Sequence, residues 1–490
     1  MHELSPTKLA IFIVLYVAAQ IGIGLWFARG AKSDTDYYLA GRKLGFLPLS
    51  LSIFATWFGA ETILGSSAAI AEGGLAGARA EPFGYAICLV GMAILIAGSI
   101  REKGYVTIAD FFRDRFGHHA ELLVAVISVI ISVIWAGAQL LAVSAILETA
   151  LNIPGVITLF VAAAIVIFYC YFGGLMGDVV TDIIQGVFLI GGAVVLFLAV
   201  AQQFGGVGAM IGSIQTEQLR LVSPGESVFG RVDSWAIPVL GSLVTQEVIT
   251  RFLAARNVKV ARRACYSAAG LYLAVGCLPV LIGLAGAHLD IPGADGDNFI
   301  PALALATLPP MLAIIFTGAL FSAILSTVDS NLLAVSSLVS INILRRFHSH
   351  ASEKLQLRTA RFATVGAGLL ALCVAMAGSD IYELIAMTSV FGQGGILIAT
   401  LFGLRTRFGG TRAALLSIYV CVIFNLMTLL VLPLYDSLSG GMGLPAALSA
   451  VLSGDVEPIP GYFLYSIAAS LITYVLFASF EKRAAVAPAQ

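Results

Sequence analysis

Charge is what this 490-residue sequence has least of: only 11% of its residues are Asp, Glu, Lys or Arg. A soluble globular domain carries about 25%, so the scarcity excludes that class. It agrees with a 59% hydrophobic content and a mean hydropathy of +0.96. No long polar stretch is present, which excludes a separate soluble domain. There is no basic excess either: the net charge is −1, which argues against nucleic acid as a partner. The six cysteines are scattered through apolar runs without CxxC or metal-ligand spacing and suit small packing positions. The histidines fall at segment ends, as in HH (118–119) and HSH (348–350). With no histidine cluster, nucleophile–base pair or nucleotide loop at membrane depth, an enzyme is not expected.

What is present is a succession of apolar runs of about 20 residues, each able to cross the hydrocarbon core of a bilayer. Thirteen spans are expected, near 8–28, 46–72, 82–100, 120–149, 154–172, 177–201, 233–255, 264–288, 309–343, 359–378, 381–404, 411–435 and 459–480. The first run lacks a small-residue cleavage site and belongs to the mature protein rather than a signal peptide. Lys and Arg collect in cytoplasmic loops. With the N-terminus outside, 23 of the 27 basic residues fall inside, leaving Lys8, Arg79, Arg220 and Arg231 outside. The expectation is an all-α, multi-pass protein of the cell membrane, N-terminus outside and C-terminus inside, with the bilayer as its solvent.

Two spans are interrupted. Between Lys43 and Glu72 the only charge is Glu61, set in FATWFGAETILG (54–65) with Gly59 and Gly65. Five spans later, DSWAIPVLGSLVTQEVITRF (233–252) carries Pro238 and Gly241 near mid-depth and runs in the opposite direction. Proline removes a backbone donor and glycine weakens helix. Freed carbonyls at the midplane are costly unless they line a polar cavity or bind something. Two interrupted spans at matching positions point to a transporter with inverted repeats, here 46–201 and 233–404, with an extra helix at 8–28 and extra C-terminal helices at 411–480.

A carboxylate at a helix centre costs about 2.5–3.5 kcal/mol on insertion scales, so Glu61 and Glu247 need a reason to be there. Either could bond freed backbone donors or contact substrate. Asp182 lies nearer the cytoplasmic end, as a solvated or gate-pairing acid, and Glu81 and Glu383 are expected at the outer mouth. In FSAILSTVDSNLLAVSSLVSINIL (321–344), Ser326 and Thr327 are adjacent hydroxyls, with Ala323 one turn earlier. A hard cation such as sodium wants oxygen ligands. On spacing alone, back-bonding of both hydroxyls to the preceding turn is the better account.

The chain resembles the sodium:solute symporter family over nearly its whole length. The matching strings are DYYLAGRKLG (36–45), FGAETILG (58–65), REKGYVTIADFFRDRFG (101–117), YFGGLMGDVVTDIIQG (171–186), TQEVITRFLAARN (245–257) and SAILSTVDSNLLAVSS (322–337). The resemblance implies the five-plus-five inverted-repeat fold of amino-acid transporters. It also implies a sodium site of Ala55, Phe58 and Ala323 carbonyls with Ser326 and Thr327 hydroxyls, and Asp182 as a sodium-exit or gating residue. Gly59 departs from the serine of many members. Within the family, ATWFG, GYVT and EPFGY look most like the high-affinity choline transporter branch, which encloses its quaternary ammonium in aromatic rings. Three ring positions match, at Trp57, Tyr85 and Trp135, and a fourth falls on Thr245. With Glu61 and Thr62, these are the expected substrate contacts. Without the resemblance, packing and solute contact are equally good accounts of the two tryptophans.

The function expected is therefore sodium-coupled symport of a small organic solute, an amine or quaternary ammonium compound among the options, by a monomer or weak homo-oligomer. The alternatives are a proton-coupled transporter of the same fold, with Glu61 or Asp182 as carrier, and a membrane solute sensor.

Overall fold

The computed structural model describes residues 6–28, 38–77, 79–151, 153–171, 175–223, 225–347, 352–378, 381–440, 442–444 and 459–486. Parts of the expected features, at 36–37, 172–174 and 445–458, lie outside the described residues. The described residues form helices and connecting turns, with one isolated parallel bridge between Leu44 and Ala255.

In chain order the principal helices are α1 Pro6–Ala28, α2 Phe46–Trp57, α3 Glu61–Ala76, α4 Glu81–Leu95, α5 Ala97–Lys103, α6 Ile108–Phe116 and α7 His118–Leu151. They continue with α8 Gly155–Tyr171, α9 Leu175–Gln203, α10 Val228–Gly241, α11 Gln246–Ala254, α12 Val258–Gly286 and α13 Phe299–Thr307. The last are α14 Pro310–Ile343, α15 Glu353–Ala377, α16 Ile381–Val390, α17 Gln393–Arg405, α18 Thr411–Ser439 and α19 Tyr462–Val486. Among the described residues, eight helices are long and apolar enough to cross a membrane, or up to eleven if each sharply bent pair is one span. Shorter apolar helices at Ala10–Gln20 and Gly155–Phe168 occupy two more of the expected spans.

The bends fall where the sequence is weakest as helix. α2 and α3 meet at 62°, around Phe58 and Gly59, and α10 and α11 at 40°, just past Gly241. A Cβ at Gly241 would lie 1.9 Å from the Ser389 carbonyl oxygen, so glycine is needed for α16 to approach this closely. A third bend, 47° between α4 and α5, was not expected: 82–100 reads as an uninterrupted apolar run.

α14 lies at the centre. From Phe316 to Ser337 every residue is buried, polar Ser326, Thr327, Asp329 and Asn331 included, against α7, α9 and α15. α18 and α19 pack mainly on each other and expose most of their surface at the rim. Exposed apolar side chains such as Val14, Phe160, Phe188 and Ile472 form an outward shell that suits lipid. Backbone bonds from Leu44 to Ala254 (3.2 Å) and from Arg256 to Leu44 (3.0 Å) tie the entry of the first bent pair to the exit of the second.

Candidate functional site

The site is built on the first break. α2 stops because Phe58 takes φ −78° and ψ 70°. The Gly59 N–H turns back to the Trp57 carbonyl at 2.8 Å, and Ala60 N–H is taken by Gln139 Oε1 at 3.3 Å. The Ala55 carbonyl, which a continuing helix would pair with Gly59, instead receives the Ser326 hydroxyl from α14 at 3.4 Å. Thr327 Oγ1 donates to the Ala323 carbonyl at 3.3 Å, the back-bond expected on spacing alone. A Cβ on Gly59 would meet Thr327 Oγ1 at 2.7 Å. The space a serine would need there is already filled. Beside the break at Phe58, Ser326 with the Ala55 carbonyl and Thr327 with the Ala323 carbonyl thus make two long hydroxyl–carbonyl contacts. Among the described residues no group of three or more His, Cys, Asp or Glu could hold a metal.

Ser326 also donates to Asp182 on α9. That carboxylate accepts from Ser52 on α2 at 2.5 Å and from Arg251 on α11 at 3.3 Å. Arg251 Nη2 reaches Asp178, one turn before Asp182, at 2.6 Å. Both acids and the arginine are 1% exposed or less. This cluster joins α2, α9, α11 and α14 through a buried, doubly paired arginine, which excludes Asp182 as a solvated acid and leaves it paired.

On the other side of the break lie the aromatic positions. Trp57 has Tyr85 edge-on at 5.4 Å and Trp135 tilted at 6.3 Å between ring centroids. Both tryptophans are buried, so neither is an interface anchor. Trp57 Nε1 donates to Glu247 at 3.1 Å. Glu247 sits in the first turn of α11, where the helix dipole favours negative charge. Glu61 is buried. Its Oε2 has no hydrogen-bond partner among the described residues. Glu61 and Tyr85 line a cavity of about 140 Å³ with Ser234, Ile237, Pro238, Ile385 and Ala386.

Some expected contacts lie elsewhere. Thr245 stands at the N-cap position of α11, its hydroxyl bonded to the Ser242 carbonyl at 3.1 Å. Thr62 turns from the cavity to Tyr272 at 2.7 Å. Glu81 is not at an open mouth but fully buried, taking the Tyr272 hydroxyl at 2.8 Å on both oxygens. Arg251, counted above among the loop charges, is a buried residue of α11. A signal existed for it and for Asp178: each is one turn from an acid on the same span, Glu247 or Asp182. Tyr272 and Gln139 stand in apolar runs that give no such signal.

With this geometry in view, the comparisons are direct. The sodium:solute symporter family model matches residues 37–418. High-affinity choline transporter 1 of Drosophila melanogaster is 30% identical over 393 residues, covering 77% of this chain and 63% of that protein. The sodium/glucose cotransporter of Vibrio parahaemolyticus is 28% identical over 472 residues, 87% and 85% of the two chains. A Na+-coupled sialic acid symporter, solved in a substrate-bound outward-open state, superposes with a TM-score of 0.76 at 19% identity over 98% of both chains. That likeness shows the fold. The chain belongs to the sodium:solute symporter family: it is a multi-pass membrane transport protein and not an enzyme.

Proposed function

We propose that the chain is a sodium-coupled symporter for a small organic cation, an amine or quaternary ammonium compound, working by alternating access. Family membership supports sodium-coupled solute symport. The observation that carries the coupling is the gathering of the Ser326 and Thr327 hydroxyls with the Ala55 and Ala323 carbonyls at the helix break. Sodium bound there, with the Phe58 carbonyl, holds α2 to α14. The solute enters beside Trp57, Tyr85 and Trp135, and the two repeats, 46–201 and 233–404, rock about the site. Thirteen spans with the N-terminus outside would put the Arg251 cluster toward the cytoplasm. Asp182 there receives sodium leaving Ser326 while Arg251 closes the exit.

The energetics suffice. A tenfold sodium gradient supplies about 1.4 kcal/mol, and 100 mV supplies about 2.3 kcal/mol per charge. One sodium ion sustains roughly a few-hundred-fold accumulation of a neutral solute, and the potential adds more for a cation. A second reading, proton coupling, is favoured by one observation: Glu61 and Glu81 are both buried carboxyl groups on segments packed against each other. Uptake of radiolabelled amines and quaternary ammonium compounds into proteoliposomes separates the two. A sodium gradient driving accumulation at equal pH is the expected result. Accumulation under a pH gradient without sodium would instead establish the proton carrier.

A further inference from the structure

We infer that the cavity beside Glu61 takes a protonated amine carrying at least one N–H, and discriminates against a quaternary ammonium. This rests on the organic-cation reading above and narrows it. Glu61 is 2% exposed, lines the cavity with Tyr85, and keeps Oε2 without a hydrogen-bond partner among the described residues. A buried acceptor left unpaired is costly, and more so when it belongs to a carboxyl group. An ammonium N–H in the cavity satisfies that oxygen and brings the opposite charge with it.

The aromatic faces do not make this distinction. Tyr85, the aromatic ring that lines the cavity, attracts any cation through its ring quadrupole. The difference between an alkylammonium and its fully methylated form therefore lies at Glu61. Three methyl groups and a fourth alkyl chain leave the nitrogen nothing to donate, and they hold the charge one carbon further from Oε2. The other two acids are already engaged. Glu247 receives the Trp57 indole N–H at 3.1 Å, and Glu81 receives Tyr272 on both oxygens. The cavity, about 140 Å³, is of a size for a small amine. A site that hydrogen-bonds its ligand rejects the analogue lacking the donor far more strongly than a purely apolar site rejects a change of shape.

The test is a binding series on the full-length protein at saturating sodium, read by intrinsic tryptophan fluorescence. Its probes are propylammonium, its mono-, di- and trimethylated forms, and neutral 1-propanol. The first three keep an N–H and should bind within a few-fold of one another, with affinity falling about tenfold or more at the last methyl. A smooth decline across the series would mark simple crowding and overturn the inference. So would a trimethylated form that binds equally or better, although that result leaves the organic-cation reading standing. If 1-propanol matches the amines, or nothing in the series binds, the organic-cation reading itself fails. Glu61→Gln should shrink the final step to less than about threefold, and Glu61→Asp should keep its direction. Both variants are first checked for retained stabilisation by sodium, and the wild-type series decides alone if neither folds.

Discussion

Two groups of buried acids flank the first helix break, and they differ in one respect. Asp178 and Asp182 share Arg251, a cation supplied by the chain itself. Glu61, Glu81 and Glu247 are as deeply buried, but among the described residues none of them is ion-paired. Glu247 receives the Trp57 indole N–H and Glu81 the Tyr272 hydroxyl. A buried charge is tolerated when it is paired and hydrogen-bonded. The first group meets that condition internally and so behaves as a fastening between helices. The second keeps one carboxylate oxygen, Glu61 Oε2, without a hydrogen-bond partner among the described residues, which is what the proposed cation site requires.

The largest expected effect comes from making the first group resemble the second. Arg251→Met leaves two aspartates buried without their partner and should cost about 3–5 kcal/mol of stability. It is read as a fall in thermal midpoint of the detergent-purified protein. Adding Asp178→Asn and Asp182→Asn should recover much of the loss, because the uncompensated charges are gone. A single variant as stable as wild type would show that the arginine fastens nothing.

Gly59 stands between the two groups. Gly59→Ala drives a methyl group against Thr327 Oγ1, 2.7 Å from the ideal Cβ position, an overpacking of about 1–3 kcal/mol. Sodium half-saturation should rise about fivefold or more while the fold persists. An unchanged sodium dependence would remove Thr327 from the sodium shell.

Trp57 tests the second group. Trp57→Leu keeps apolar bulk but removes both the ring face and the indole N–H held by Glu247. Binding of an organic cation should weaken by about 0.5–2 kcal/mol, with partial recovery in Trp57→Phe. Equal binding by the leucine variant would assign Trp57 to packing.

The smallest effect is a control for the same pairing chemistry near water. Arg79 meets Glu226 at 2.6 Å in the loop before α10, and the guanidinium holds the Glu226 carboxyl below its usual range. A lowered folded-state pKa contributes stability above the ordinary glutamate value of 4.5, and that contribution disappears as pH falls through the folded value. Glu226→Gln should therefore cost about 0.2–1 kcal/mol at neutral pH, and nothing once the wild-type carboxyl is protonated. Thermal midpoints of both proteins from pH 7 down to acid check this, and added salt should shrink the difference. A gap that persists in acid would mean the pair is not electrostatic.

The sequence made the membrane class and both bent helices legible because scarce charge and mid-span Gly and Pro have direct physical costs in lipid. The Ser326–Thr327 hydroxyls were visible as an oxygen pair, but their orientation depends on α14 packing against α2, a contact between residues 271 positions apart. Glu81 was misplaced because hydropathy reports depth along a span and says nothing of Tyr272, 191 residues away. Arg251 was misplaced for a related reason. Counting Lys and Arg by loop treats every cation near a span end as solvated, and only tertiary structure brings Asp178 and Asp182 to it. The bend between α4 and α5 falls at Ile96, which is neither glycine nor proline, and the flanking Gly91 and Gly98 stand apart from it.

The central claim, that sodium binds where α2 breaks against α14, is tested most directly by equilibrium binding of radiosodium to the purified protein. Wild type should show saturable binding. Ser326→Ala and Thr327→Ala each remove one ligand of about five and should weaken binding severalfold, and the double variant should show none, with its thermal unfolding otherwise intact. Saturable sodium binding of unaltered affinity in the double variant would contradict the site and move the coupling ion elsewhere.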